Sequence, residues 1–125
     1  MTATLPPPIS VLMPVRNAAA TLPRALASLS AQTRTDWEAV IVDDGSTDDT
    51  AAVLAAWARR DPRFRLVRQD ARGIVAALNA GLAEARGRWV ARLDADDEAL
   101  PARLALQSAA LEGDPGLGVV SGRVL

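Results

Sequence analysis

The chain has 125 residues, half of them hydrophobic, with 14 basic and 15 acidic side chains and a formal net charge of −1. That is one domain with enough apolar material for a core, and it lacks the basic excess of a nucleic-acid-binding protein. Every basic residue is arginine, and Lys, His and Cys are absent. This excludes disulfides, thiolate and lysine chemistry, a His general base, and His- or Cys-ligated metal.

Residues 1–8 read as an extended lead-in because of Pro6-Pro7-Pro8, and residues 9–125 as a single domain. No stretch reaches the roughly 18 uncharged apolar residues of a membrane span. Met1–Pro8 lacks the basic and apolar regions of a secretory leader, so a cytoplasmic place is expected. Ile9 to Val15 is a short apolar run of the kind that forms a buried strand. Leu22, Leu26 and Leu29 follow at helical spacing, with Pro23 tolerated near the helix start. Trp37 to Val42 is a second buried strand and runs into Asp43-Asp44-Gly45-Ser46.

A helix is expected from Thr47, with Val53, Leu54 and Trp57 on one face. Ser46 or Thr47 would cap it, with Asp48 and Asp49 in its first turn. Phe64 to Arg68 is a third strand. Gly73 to about Arg86 is a helix with Ile74, Leu78, Leu82 and Ala85 on its apolar stripe. Arg88 to Leu93 is a fourth strand ending at Asp94-Ala95-Asp96-Asp97. Pro101 opens a last helix to about Glu112, and Gly118 to Leu125 has the pattern of a final strand. Alternating helices and buried-type strands predict an α/β domain with a mostly parallel sheet. The pattern stops at Leu125 without a tail, and the chain is expected to be part of something longer.

In open α/β sheets ligands bind beyond the carboxyl ends of the strands. Asp43 and Asp44 lie at one such end, and Asp94, Asp96 and Asp97 at another. Carboxylates crowded on one rim repel one another unless a cation sits among them. Oxygen-only ligands suit Mg²⁺ or Mn²⁺, which bridge carboxylates to substrate phosphates. Asp48 and Asp49 fit better as turn and cap residues. Several phosphate-handling layouts are excluded by what is missing. A response-regulator receiver needs an acidic pair at its first strand and a lysine. Haloacid-dehalogenase-type phosphatases place Asp-x-Asp after the first strand. Neither a Gly-x-x-x-x-Gly-Lys loop nor a Gly-x-Gly-x-x-Gly fingerprint occurs. Read as a calcium loop, Asp94-x-Asp96-x-Glu98 has Ala99 and Ala105 where Gly and Glu belong.

The surviving features, in order, resemble family 2 glycosyltransferases of the GT-A fold. Ile9 to Asn17 is similar to that family's first strand with its Pro-x-x-Asn turn. Ser28-Leu29-Ser30-Ala31-Gln32-Thr33 followed by Asp36-Trp37-Glu38 resembles its entry into the second strand. Val42-Asp43-Asp44-Gly45-Ser46-Thr47-Asp48 is its most recognisable run. Asn79-Ala80-Gly81 with Ala85-Arg86-Gly87 resembles its third helix and the turn after it. Asp94-Ala95-Asp96-Asp97 is similar to its Asp-x-Asp element. The likeness spans residues 9 to about 112.

The resemblance implies a Rossmann-like three-layer sandwich with a mostly parallel central sheet. It also implies a UDP- or GDP-type nucleotide-diphosphate sugar as donor, transferred to a hydroxyl of a glycan or lipid-linked acceptor. Carried over, the Pro14-Val15 backbone and the Asn17 turn meet the nucleoside, and Asp44 hydrogen-bonds the base. Asp43 supports the loop. Asp94 approaches the ribose or the metal, Asp96 holds Mn²⁺ or Mg²⁺ against the diphosphate, and Asp97 shares that role. Leu78 stands where many members carry Arg or Lys, and it also falls on the apolar stripe of its helix. Arg72, one turn earlier, is a candidate for the missing cation at the donor. The acceptor side and its catalytic base are expected beyond Leu125.

Two other readings stay open: a non-catalytic nucleotide-binding fragment or subunit, and an α/β module whose aspartates bind nothing. An unfinished sheet edge is expected to favour self-association. Arginines 59, 60, 63, 65, 68 and 72 form a local basic patch, with Arg63 and Arg65 expected on the solvent face of an edge strand. Such a patch also suits anionic lipid head groups near a lipid-linked acceptor, which would make the protein peripheral to the inner face of the membrane. The solvated face is the preferred reading.

Overall fold

The computed structural model describes residues 5–120. Within these residues four strands alternate with four helices: β1 (Ile9–Val15), α1 (Leu22–Ser30), β2 (Trp37–Asp44), α2 (Thr50–Arg60), β3 (Phe64–Gln69), α3 (Ile74–Glu84), β4 (Trp89–Arg92) and α4 (Arg103–Gly113). The strands form one sheet in the order β3-β2-β1-β4, and every pairing is parallel. The chain steps outward from β1 through β2 to β3, then crosses back to lay β4 on the far side of β1. That reversal is a topological switch point, where such sheets open a crevice.

Side-chain alternation in β1 and β2 builds the two outer layers. Ile9, Val11, Met13 and Val15 face one way and pack with Leu22, Leu26 and Leu29 of α1, Leu54 of α2 and Leu104 of α4. Leu12 and Val42 face the other way and meet α3 at Gly81, whose missing side chain lets that helix lie close to the sheet. Every residue of β2 is buried, as expected of a strand covered on both faces. None of the described helices is long and apolar enough to cross a membrane.

Glu38 sits at the end of the sheet where the strands begin and is 2% exposed. Its Oε2 accepts the Ser10 hydroxyl at 2.6 Å and the Arg86 backbone N–H at 2.8 Å, and its Oε1 accepts Arg65 at 2.8 Å and Arg86 at 3.0 Å. Burial pushes the carboxyl up. The Ser10 hydroxyl, the Arg86 amide and the two guanidinium groups outweigh it and bring it down to about 2.

Several expectations are corrected. α2 begins at Thr50 with Asp49 at its N-cap, so Asp48 and Asp49 precede the helix rather than occupy its first turn. Ser46 and Thr47 do not cap it; their polar groups bond to Asn17 instead. The buried face of α3 is Ala77 and Gly81, while Ile74 and Leu82 are 57% and 49% exposed. The close approach at Gly81 gives the contact to small residues and leaves the larger ones on the flanks. Arg63 lies before β3 and is held by Asp61 at 2.7 Å, with its guanidinium 3.9 Å from the Trp37 ring centroid. Arg65 turns inward to Glu38, because a buried carboxylate needs counter-charge. Gly118–Val120 carry no strand, and the rest of the segment expected as a final strand lies outside the described residues.

Candidate functional site

The carboxyl ends of β1 and β2 stand level, with Val15 opposite Asp43 in the register. β4 leaves the sheet earlier, its last residue Arg92 pairing with Leu12. The chain after β4 therefore runs beside the upper end of β1 and leaves a crevice there.

Asn17 turns the chain out of β1 in a left-handed conformation, φ 49°. Asn is among the few residues that adopt this without strong penalty. Its backbone N–H donates to Ser46 Oγ at 2.9 Å. Its side-chain Oδ1 accepts the N–H of Thr47 at 2.8 Å and of Asp48 at 3.3 Å. The Ala18 N–H donates to Thr50 Oγ1 at 3.0 Å. The β1–α1 and β2–α2 loops are thus one bonded unit.

Asp43 and Asp44 are both buried and serve different partners. Asp43 accepts the Ser46 N–H at 3.0 Å and Arg68 at 2.8 Å, closing its own loop. Asp44 Oδ1 accepts the Gln69 amide and the Arg72 N–H, both at 2.8 Å, and Oδ2 accepts the Gly73 N–H at 3.0 Å. The Arg72 amide and Gln69, with Gly73 and the nearby Arg16 charge, hold Asp44 below the usual carboxylate range against the opposing effect of burial. Gly45 then turns with φ +72° against Ala71, where a Cβ would lie 2.7 Å from the Ala71 nitrogen.

A cavity of about 670 Å³ opens over these loops, lined by Pro14, Val15, Arg16, Asn17, Asp44, Asp48, Gly73, Ile74, Ala77, Asp94 and Asp96 among others. Asp94, Asp96 and Asp97 are exposed and can each turn one carboxylate oxygen to within 4.8 Å of the others. Hard oxygen donors, open to solvent and close together, fit Mg²⁺ or Mn²⁺ with several waters retained. Arg92 reaches Asp94 at 3.0 Å from the strand below.

Of the residues singled out from sequence, Pro14, Val15, Asn17, Asp44, Asp94 and Asp96 line this cavity. Asp97 joins through the acidic cluster and Asp43 stands behind the loop. Arg72 does not line it; its backbone serves Asp44, and its side chain borders a second cavity with Arg68, Gln69 and Asp70. Arg16 and Asp48 also line the cavity, although the sequence gives Arg16 no ligand role and reads Asp48 as a turn residue. Arg16 is inside the Pro14-Val15-Arg16-Asn17 turn, so its place in the motif was the available signal. Asp48 does act as a turn residue, accepting the Thr50 N–H at 2.9 Å, and lines the cavity as well.

A parallel sheet in this strand order, with an acidic loop after the fourth strand and a buried carboxylate at the end of the second, defines an α/β fold of the GT-A class. The chain belongs to glycosyl transferase family 2, whose sequence profile it matches over residues 10–125. Succinoglycan biosynthesis protein ExoO of Rhizobium meliloti (strain 1021) is 46% identical over 99 residues, covering 78% of this chain and 28% of that protein. Mannosyltransferase PcManGT from Pyrobaculum calidifontis, solved in complex with GDP-Man and Mn²⁺, superposes with a TM-score of 0.81 at 34% identity, covering 92% of this chain and 35% of that one. S. aureus TarS 1-349 in complex with UDP-GlcNAc gives a TM-score of 0.78 at 25% identity, covering 90% and 37%. The chain thus spans 37% or less of each of these proteins.

Proposed function

We propose that this chain is the donor-binding part of a glycosyltransferase, taking a UDP- or GDP-type sugar together with Mn²⁺ or Mg²⁺ for transfer to an acceptor hydroxyl. The observation that carries this reading is that one cavity is walled by Asp44 on one side and by Asp94 and Asp96 on the other. A nucleoside diphosphate presents an N–H-bearing base at one end and two phosphates at the other. Asp44 is acceptor-only, and its Oδ2 holds one N–H and has capacity for another. Pro14 and Val15 offer backbone to the nucleoside between these ends. Asp96, with Asp94 and Asp97, would hold the cation. When bound, such an ion neutralises charge gathering on the departing diphosphate.

The relatives support the ligand class, since one neighbour was solved with GDP-Man and Mn²⁺ and another with UDP-GlcNAc. The acceptor, a glycan or a lipid-linked sugar, and a cytoplasmic place belong to the same proposal. So does self-association, supported by the edge that β4 leaves unpaired among the described residues and by the exposed Val90 on that strand. Calorimetric titration with UDP and GDP, with and without Mn²⁺, tests the donor reading. Binding of one nucleotide that strengthens with the metal is expected; binding of neither overturns it.

A further inference from the structure

Gln32 lies just past the end of α1, in the Ser28-to-Thr33 stretch that contributes nothing to the cavity lining, and is 4% exposed. Its Nε2 donates to the carbonyls of Leu100 at 2.7 Å and Ser28 at 3.2 Å, and its Oε1 accepts the Leu104 N–H at 3.1 Å. Leu104 is in the first turn of α4, where backbone N–H groups have no partner within the helix. Two neighbours grip the same segment. Ser28 Oγ accepts the Ala99 N–H at 2.9 Å, and the Thr33 N–H donates to the Pro101 carbonyl at 2.9 Å.

The bonds to Ala99, Leu100 and Pro101 fall on the chain between β4 and α4, the segment that carries Asp94, Asp96 and Asp97, and the bond to Leu104 holds the start of α4 that follows it. At its other end that segment is fixed by the Leu93 N–H on the Leu12 carbonyl at 3.2 Å. A loop without helix or strand is therefore pinned on both sides. Three like charges within 4.8 Å of one another would spread apart on a free loop.

We infer that Gln32 is a positioning residue for the divalent cation. It touches neither ion nor nucleotide, and it holds the acidic loop at the spacing an ion requires. A buried amide with both ends bonded has one orientation, so it transmits the fixed position of α1 to the loop. The inference rests on the proposed reading of Asp94, Asp96 and Asp97 as metal ligands.

The test compares the parent with Gln32→Met, which keeps the volume and removes all three side-chain bonds. Mn²⁺ affinity in the presence of UDP or GDP is measured by calorimetry and by the Mn²⁺ paramagnetic resonance signal, and nucleotide affinity is measured without metal. Mn²⁺ affinity is expected to fall about tenfold, as for other residues that orient metal ligands, with metal-free nucleotide affinity within about twofold. Glu38→Gln serves as control because it lowers stability from the opposite end of the sheet; it is expected to keep the parent Mn²⁺ affinity. Ser28→Ala removes one bond to the same segment and gives a smaller loss in the same direction, which keeps the test open where Gln32→Met does not fold. Unchanged Mn²⁺ affinity in the Gln32 and Ser28 variants overturns the inference. So does a loss matched by Glu38→Gln at equal loss of stability. A parent that binds nucleotide with no response to Mn²⁺ overturns the underlying metal reading, and this inference with it.

Discussion

The side-chain carbonyl of Asn17 accepts the backbone N–H of Thr47 at 2.8 Å, joining the loop after β1 to the loop after β2. Both loops wall the cavity, so their spacing sets its width. Asn17→Gly keeps the left-handed backbone and removes the carbonyl, whereas Asn17→Ala adds about 1 kcal/mol of strain to the same loss. Both variants are expected to bind nucleotide diphosphate about five- to tenfold more weakly, the worth of one to two hydrogen bonds. The Ala variant is expected to melt lower. Parent affinity in Asn17→Gly would show that the link does not shape the cavity.

Asp96 is exposed on a loop and contributes little to the core. Asp96→Ala is expected to change stability by no more than about 0.5 kcal/mol in the absence of metal. Removing one of three crowded carboxylates relieves repulsion, so the melting temperature without metal stays level or rises. The Mn²⁺-dependent part of nucleotide binding is expected to disappear. Thermal shift with and without Mn²⁺ reads both effects, and a metal-induced rise surviving in the variant would take Asp96 out of the ligand set.

Glu38 is held at about 2 against an ordinary value of 4.5. A depressed carboxyl stabilises the folded state fully above its ordinary value and loses that contribution as pH falls from about 4.5 through about 2. The shift corresponds to about 3 kcal/mol. Urea unfolding between pH 6 and pH 2 is expected to show a steep acid limb. Glu38→Gln should be less stable at neutral pH by about 2 to 3 kcal/mol, with a much flatter acid limb. An equally steep limb in the variant would assign the acid sensitivity elsewhere.

Two glycines separate stability from binding. A Cβ on Gly87 would lie 2.6 Å from the Ser10 backbone nitrogen, at the Glu38 end of the sheet. Gly87→Ala is expected to cost about 1 to 3 kcal/mol and leave nucleotide affinity unchanged. Gly45→Ala meets both a positive φ and the Ala71 backbone, beside the amides that hold Asp44. It is expected to lower stability and affinity together. Equal affinities in the two variants would break this division.

The alternation of apolar runs and helical spacings is enough to place the eight elements of the described residues, and the acidic strand ends mark the cavity. The motif resemblance supplied the assignment of Asp44 and Asp96 to opposite ends of one ligand. What could not be read depends on distant partners. Glu38 between Trp37 and Ala39 gave no sign of burial, because its partners Ser10, Arg65 and Arg86 are set by strand order and by the turn after α3. Gln32 was visible as a motif letter but not as an anchor, since Leu100 and Leu104 reach it only in the folded chain. The stripe on α3 differs from the buried face because periodicity shows which residues align, not how near the helix comes. Gly81 decides that distance.

Among the described residues β4 joins the sheet through β1 alone, over four register pairs, whereas β1 and β2 share seven. A short strand at an open edge detaches at lower free energy than the strands inside it. Its amides from Trp89 to Arg92 should therefore exchange with deuterium sooner than those of β1 and β2. Asp94, Asp96 and Asp97 lie on the loop directly after that strand, so a ligand clasping them to the rest of the cavity would slow its exchange. The weakest edge of the sheet thus doubles as an intrinsic reporter of occupancy.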